Sequence, residues 1–201
     1  MRREGRADSL ISYLENSIVD LGIRTSNIPE IQKTSVYVGG IGYSGVYGIN
    51  STNPYFPPFM FVNANNVTDE INPRLISHVK GTFVDKEQLI IWNPDFIFID
   101  VTGWDIVKND LSENKVVYNQ LDAVKNNNLF TLLPHNNYAT NYEYVLANAW
   151  YVGKILYPDK FEDININNKF SEILFWFLGS DTIDEQSFPI PPFNRLDNND
   201  E

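Results

Sequence analysis

The sequence predicts an α/β fold, a three-layer sandwich around a mostly parallel central sheet. Three observations carry this. Phe96-Ile97-Phe98-Ile99 is a continuous apolar run with turn signals on both sides, the pattern of a parallel strand buried on both faces. Leu129 to Leu133 is a second such run, ended by Pro134. Helical segments alternate with these runs, which is the order that builds a parallel sheet with helices on its faces. At 201 residues, the chain is long enough for one domain with a substantial core.

Read in order, residues 7–22 form an amphipathic helix. Leu10, Ile11, Leu14, Ile18 and Leu21 keep helical spacing, and Gly22 is the expected stop. Thr25 to Lys33, with Pro29, is a connector. Ser35 to Val38 is a strand that turns at Gly39-Gly40. Residues 39–58, GGIGYSGVYGINSTNPYFPP, are neither helix nor ordinary strand. A long Gly-rich loop with Tyr43, Tyr47 and Tyr55, leaving a strand, is a place for a ligand; the alternative is a surface loop packed by its own tyrosines.

Phe59 to Val67 reads as a short helix or turn, and Gly81 to Val84 as a brief strand. Asp85 with Gln88 has the spacing of a helix cap, opening a helix through Trp92 that Asn93-Pro94 breaks. Asp105 to Gln120 is mixed helix and loop. Leu121 to Val124 runs into an Asn126-Asn127-Asn128 turn. Thr140-Asn141-Tyr142-Glu143 matches a capping box, opening a long helix that Pro158 stops. A last helix spans Lys169 to Leu178, and residues 194–201 read as a disordered tail.

Composition excludes several functions. The net charge is −11, and the one basic cluster, Arg2, Arg3 and Arg6, is explained by a charged helix start; nucleic acid is not an expected partner. There are no cysteines and only two histidines, His78 and His135, so thiolate and multi-histidine metal sites are not available. The start, MRREGRADSLISYLENSIVDLG, is too charged for a signal peptide. No apolar run approaches the roughly 18 residues of a membrane span. GGIGYSG lacks the spacing of a dinucleotide fingerprint, and Gly42-Tyr43-Ser44-Gly45 lacks that of a nucleophile elbow.

In parallel sheets ligands lie beyond the carboxyl ends of strands. Three loops leave those ends: Gly39–Pro58, Asp100–Asp105 and Pro134–Thr140. They are expected to converge. The candidate ligand-binding residues they carry are Tyr43, Tyr47, Trp104, Asn136, Asn137 and Tyr138. Phenols and an indole can stack on a flat ligand, and amides can bond its rim; core packing, lid packing and Asx turns are the structural alternatives. Asp100 and Asp105 form a carboxylate pair without a Ser-His partner, and Asp100 reads as a loop cap. Arg74, the only Arg between Arg24 and Arg195, could face an anion, but Pro73 beside it suggests a surface turn.

FVDKEQLIIWNPDFIFID, residues 83–100, resembles the metal-chelate class of ABC-transporter substrate-binding proteins, where a capped helix with Glu-Gln-Leu leads into Asn-Pro-Asp and an apolar strand. VYVGGIGYSGVYGINSTNPYFPPF resembles the first strand and cleft loop of the C-terminal lobe in the archaeal iron-complex branch. LPHNNYATNYEYVLANAWYVGKILYPDKF resembles its last strand, cleft loop and closing helix. The resemblance covers residues 34 to 178. It implies a single lobe of a class III periplasmic-binding-protein fold. Residues 1–33 would be the remnant of the inter-lobe helix and its connector, and 34–193 the substrate-binding lobe.

It also implies capture of a ferric siderophore, haem or a corrinoid for import, with no covalent chemistry and no resident cofactor or metal. The implied partners are an ABC permease and an N-terminal lobe outside this chain. The full-length protein would sit at the cell surface, or in the equivalent of the periplasm. This chain would then be a piece of a longer protein in preference to a natural half-protein. The family docks on its permease through one acidic residue per lobe; here that part of the loop reads Asn53, with no Asp or Glu from Tyr43 to Asn66. An open half-cleft is expected to bind weakly and to favour self-association. The alternative functions are an α/β enzyme using the Tyr-rich loop with Asp100 or Asp105, and a half-protein acting only through protein contacts.

Overall fold

A computed structural model describes residues 3–76, 81–134, 136, 139–180 and 191–196. Seven strands are assigned among them: β1 (Ser35–Gly39), β2 (Ser51–Thr52), β3 (Asn65–Asn66), β4 (Thr82–Phe83), β5 (Phe96–Asp100), β6 (Leu129–Leu132) and β7 (Arg195–Leu196). The α-helices are α1 (Arg3–Thr25), α2 (Pro57–Phe61), α3 (Lys86–Trp92), α4 (Trp104–Glu113), α5 (Lys115–Tyr118), α6 (Asp122–Lys125), α7 (Tyr142–Leu156) and α8 (Ile166–Leu178). The main sheet has the order β3-β1-β5-β6-β7. All its pairs are parallel except β6 with β7. The apolar run at 96–99 is the middle strand, as its composition predicts.

Strand alternation sorts the core into two layers. Val36, Val38, Phe98, Phe130 and Leu132 face one side, with Leu21 of α1, Phe59 of α2, Leu146 and Trp150 of α7 and Ile173 of α8. Tyr37, Ile97, Ile99 and Leu129 face the other, with Leu89 of α3, Val107 of α4, Tyr118 of α5 and Val124 of α6. The molecule is therefore the three-layer sandwich that the sequence predicts. Asn148 ties the layers at one end: its buried amide donates to Leu133 O and accepts from Leu133 N, both at 2.9 Å. A strand end with no neighbour to pair with is thus satisfied by a helix side chain.

Several elements differ from expectation. α1 does not stop at Gly22 but runs to Thr25. A helical glycine costs about 1 kcal/mol against alanine, and here burial of Leu21 and Thr25 on either side of it offsets that. α7 starts at Tyr142 with Asn141 as its cap residue, so no capping box forms on Thr140; the Asn141 amide donates to Pro134 O at 3.4 Å instead. Asp85 precedes α3 without a side-chain cap, and nothing in the structure explains why. α8 begins three residues before Lys169, because the Asn165 side chain accepts from Asn168 N at 3.1 Å. Residues 194–196 are not a disordered tail. Asn194 N donates to Thr131 Oγ1 at 2.9 Å, and β7 follows on the edge of β6.

α1 packs as part of the first helical layer. Arg24 donates to both carboxylate oxygens of Asp163, at 2.6 and 2.8 Å, and its guanidinium lies over the rings of Trp150 and Phe161. Among the described residues, no helix is long and apolar enough to cross a membrane.

Phe98→Ala, at the centre of the middle strand, is expected to cost about 3–5 kcal/mol in denaturant unfolding. Ile11→Ala, on the exposed side of α1, is expected to stay within about 0.5 kcal/mol of the parent.

Candidate functional site

The sheet order places a topological switch point between β1 and β5. From β1 the chain crosses to β3 on one side, and later strands are added on the other. Crevices at such points are the usual ligand sites of open α/β sheets. Here the crevice is closed by backbone. Gly40 has φ +73°, and a Cβ on Gly103 would come within 2.6 Å of the Gly40 Cα. Only glycine permits that approach. The two loops are zipped together at their roots and can spread only outward.

The third loop joins them. Asn136 Nδ2 donates to Gly42 O at 3.2 Å. The three loops converge, as expected, and together form a rim above the carboxyl ends of β1, β5 and β6.

The rim side chains come from these loops and from one element the sequence did not suggest. Tyr47 meets Phe83 edge to face, with ring centroids 5.0 Å apart. Phe83 lies on β4, which pairs antiparallel with β2 in a separate two-stranded sheet. Phe83 is 46% exposed, Val46 50% and Ile106 43%, so the aromatic pair sits in an open apolar patch. Phe83 was missed because a two-residue strand leaves no periodicity to read. The available signal was the proximity of Gly81 to Val84 to a predicted turn, and it says nothing about a partner 36 residues away.

Tyr43 takes the structural alternative. Its ring packs against the first core layer and against Gly81. Its hydroxyl donates to Thr52 O at 2.7 Å, and burial pushes the phenol up to about 12. It braces the loop. Further bonds do the same: Gly40 N donates to Gly48 O at 3.1 Å, Ser51 Oγ to Ile41 O at 2.7 Å, and Tyr37 OH to Ile49 O at 2.7 Å. Trp104 opens α4 half-buried, packed against the second core layer. Asn136 is at the loop junction. Asn137, Tyr138, His78 and His135 lie outside the described residues.

Asp100 ends β5 beneath the rim and is 2% exposed. It is the loop cap that the sequence suggests: its Oδ1 accepts from Thr102 N at 2.9 Å. Burial pushes the carboxyl up to about 7, against the pull of the Thr102 hydrogen bonds. A carboxyl so enclosed cannot reach a substrate on the rim. Asp105 stands exposed in the first turn of α4, and Glu143 half-buried in the first turn of α7. Among the described residues no three His, Cys, Asp or Glu side chains gather as a metal-binding group.

No protein-family model matches the chain, and no curated protein matches it. Solved structures do. An ABC transporter solute-binding protein from Sulfurospirillum deleyianum superposes with a TM-score of 0.68 at 22% identity, covering 92% of this chain and 55% of that one. The Haemophilus influenzae molybdate periplasmic binding protein, with molybdate bound, gives 0.65 at 19%, covering 88% and 51%. A TroA-like periplasmic binding protein from Veillonella parvula gives 0.63 at 19%, covering 91% and 56%. The chain therefore has the fold of about half of a periplasmic binding protein, and it spans about half the length of the structures it matches.

Two outcomes test this geometry. Gly103→Ala is expected to destabilise by about 1–3 kcal/mol, because its Cβ has nowhere to go but into the Gly40 backbone. Asp100 binds a proton more tightly folded than unfolded, so its contribution to stability is complete below about pH 4 and is lost as pH rises through about 7. Asp100→Asn keeps an oxygen for Thr102 N. It is expected to flatten that part of the pH profile and to be more stable than the parent at pH 8, by a few kcal/mol as an order of magnitude. Urea unfolding of both proteins from pH 4 to 8 checks the sign.

Proposed function

We propose that this chain is the C-terminal substrate-binding lobe of an ABC importer's solute-binding protein, and that it holds a metal chelate on the rim of its three converging loops. One observation carries the reading: the switch-point crevice is closed by the Gly40–Gly103 contact, while an open patch containing Tyr47, Phe83, Val46 and Ile106 sits directly above it. A deep crevice would suit a nucleotide. An apolar shelf suits a bulky ligand gripped between two surfaces.

The fold shared with halves of periplasmic binding proteins supports the same reading. In it, the second surface is an N-terminal lobe, the partner at the membrane is a permease, and the full-length protein works outside the cytoplasmic membrane. The donor set supports a chelate over a bare ion, since a chelate brings its own metal ligands and asks the protein only for faces and hydrogen bonds. An iron complex, such as a ferric siderophore or haem, or a corrinoid fits the shelf. The role is binding, with no covalent step. Among the residues proposed from sequence, Tyr47 and Asn136 contact the ligand, with Asn137 and Tyr138 completing the third loop; Tyr43 braces, and Trp104 packs beneath.

One lobe leaves much of the ligand in water, so affinity is expected in the micromolar to millimolar range, about −4 to −8 kcal/mol. The same open patch favours self-association at high concentration. The test is quenching of tryptophan fluorescence by ferric hydroxamate, ferric citrate, haem and cobalamin, corrected for absorption by the chelate. Saturable quenching by one class, weakened about tenfold or more by Tyr47→Ala or Phe83→Ala, is the expected result. Responses that stay linear with every chelate would count against the reading.

A further inference from the structure

We infer that the ligand of this rim is an electroneutral or cationic complex and that anions are turned away; this rests on the reading above and narrows it. The argument begins with the ends of two helices. α4 starts where the second loop ends, and α7 starts where the third loop ends, so both present their N-termini toward the rim side of the sheet. A helix N-terminus carries a partial positive charge and unpaired N–H groups, which makes it a natural seat for an anion. In this lobe each of those ends has its own carboxylate: Asp105 in the first turn of α4 and Glu143 in the first turn of α7. The dipoles are answered from within the chain.

The loops add no positive charge. Gly39–Pro58, Asp100–Asp105 and Pro134–Thr140 contain neither lysine nor arginine. Their charged residues are acidic: Asp105, and Asp100 buried at the root. Nor is the upward path from β3 a source. Arg74 has its backbone N held by the Asn72 side chain, four residues past Glu70, whose carboxylate accepts from Trp92 Nε1 at 3.1 Å. Trp92 ends α3 ahead of β5, so this stretch begins at the opposite end of the sheet from the rim.

An anionic ligand would therefore lose its hydration against an apolar patch flanked by two carboxylates, with no counter-charge from the loops to offset that cost. A neutral complex meets no such penalty. A cationic one gains from both carboxylates and from the ring faces of Tyr47 and Phe83. The charge class of the ligand thus follows from the helix ends, even though the ring pair alone would accept any sign.

The experiment compares four probes on the full 201-residue chain at low and physiological salt: a neutral ferric trihydroxamate, a singly cationic ferric trihydroxamate, the ferric tris-catecholate trianion and molybdate. The neutral and cationic complexes are expected to bind at least about tenfold more tightly than either anion, with the gap narrowing as salt screens it. In the double variant Asp105→Asn with Glu143→Gln, the preference is expected to fall by about tenfold. Tighter binding of the catecholate or molybdate by the parent chain overturns the inference while leaving a chelate-binding role standing. Equal preference in parent and variant also overturns it. No saturable response to any probe up to about 1 mM overturns the reading beneath it, and the inference with it.

Discussion

The contact between Gly40 and Gly103 is the constraint on which the candidate site depends. Two parallel strands end side by side, and the chain leaving each must turn away from the other. Here both turns are glycines in van der Waals contact. The space that an open α/β sheet ordinarily leaves at its switch point is consumed by main chain. Asp100 is sealed beneath that contact, and Asn136 can reach across to Gly42 above it. What would have been a slot becomes a shelf, and the side chains exposed on a shelf are those that its loops do not use for their own support.

That division of labour was only partly legible in the sequence. The middle strand was plain, because four consecutive apolar residues between turn signals have few other uses. The long helix before Pro158 was equally plain. The meeting of the three loops followed from the direction of the strands alone. Side-chain direction did not. Tyr43 and Tyr47 look equivalent in a Gly-rich loop, yet one spends its hydroxyl on Thr52 O and the other presents a ring edge to Phe83. Asn148 reads as one polar residue among apolar neighbours, with no hint that it replaces a missing strand for Leu133. The two capping patterns failed for a related reason: a cap is a competition between local bonds, and at Asn141 a loop carbonyl is the side chain's partner.

The first helix shows how packing and electrostatics act together. Arg24 is held on one side by two carboxylates, Asp20 and Asp163, and on the other by the rings of Trp150 and Phe161. A surface ion pair alone would contribute little. A guanidinium fixed in a bidentate pair and lying over two buried rings is more constrained than that. Tyr13 makes a second anchor further along, stacking on Trp176 and donating to Glu172. α1 is thereby fixed to α7 and α8, and any force applied to it is carried into the body of the lobe.

The short strand at Arg195–Leu196 has a consequence for how copies of this molecule treat one another. It lies along β6, and its guanidinium reaches the carbonyls of Asn126 and Asn127. A bare strand margin is a template on which a neighbouring polypeptide can lay down its own backbone. Two residues, running against the grain of the sheet, shut that template over Leu129 and Phe130. They do what a sealed hem does for woven cloth: contribute little to its strength, and stop it from being stitched to the next piece.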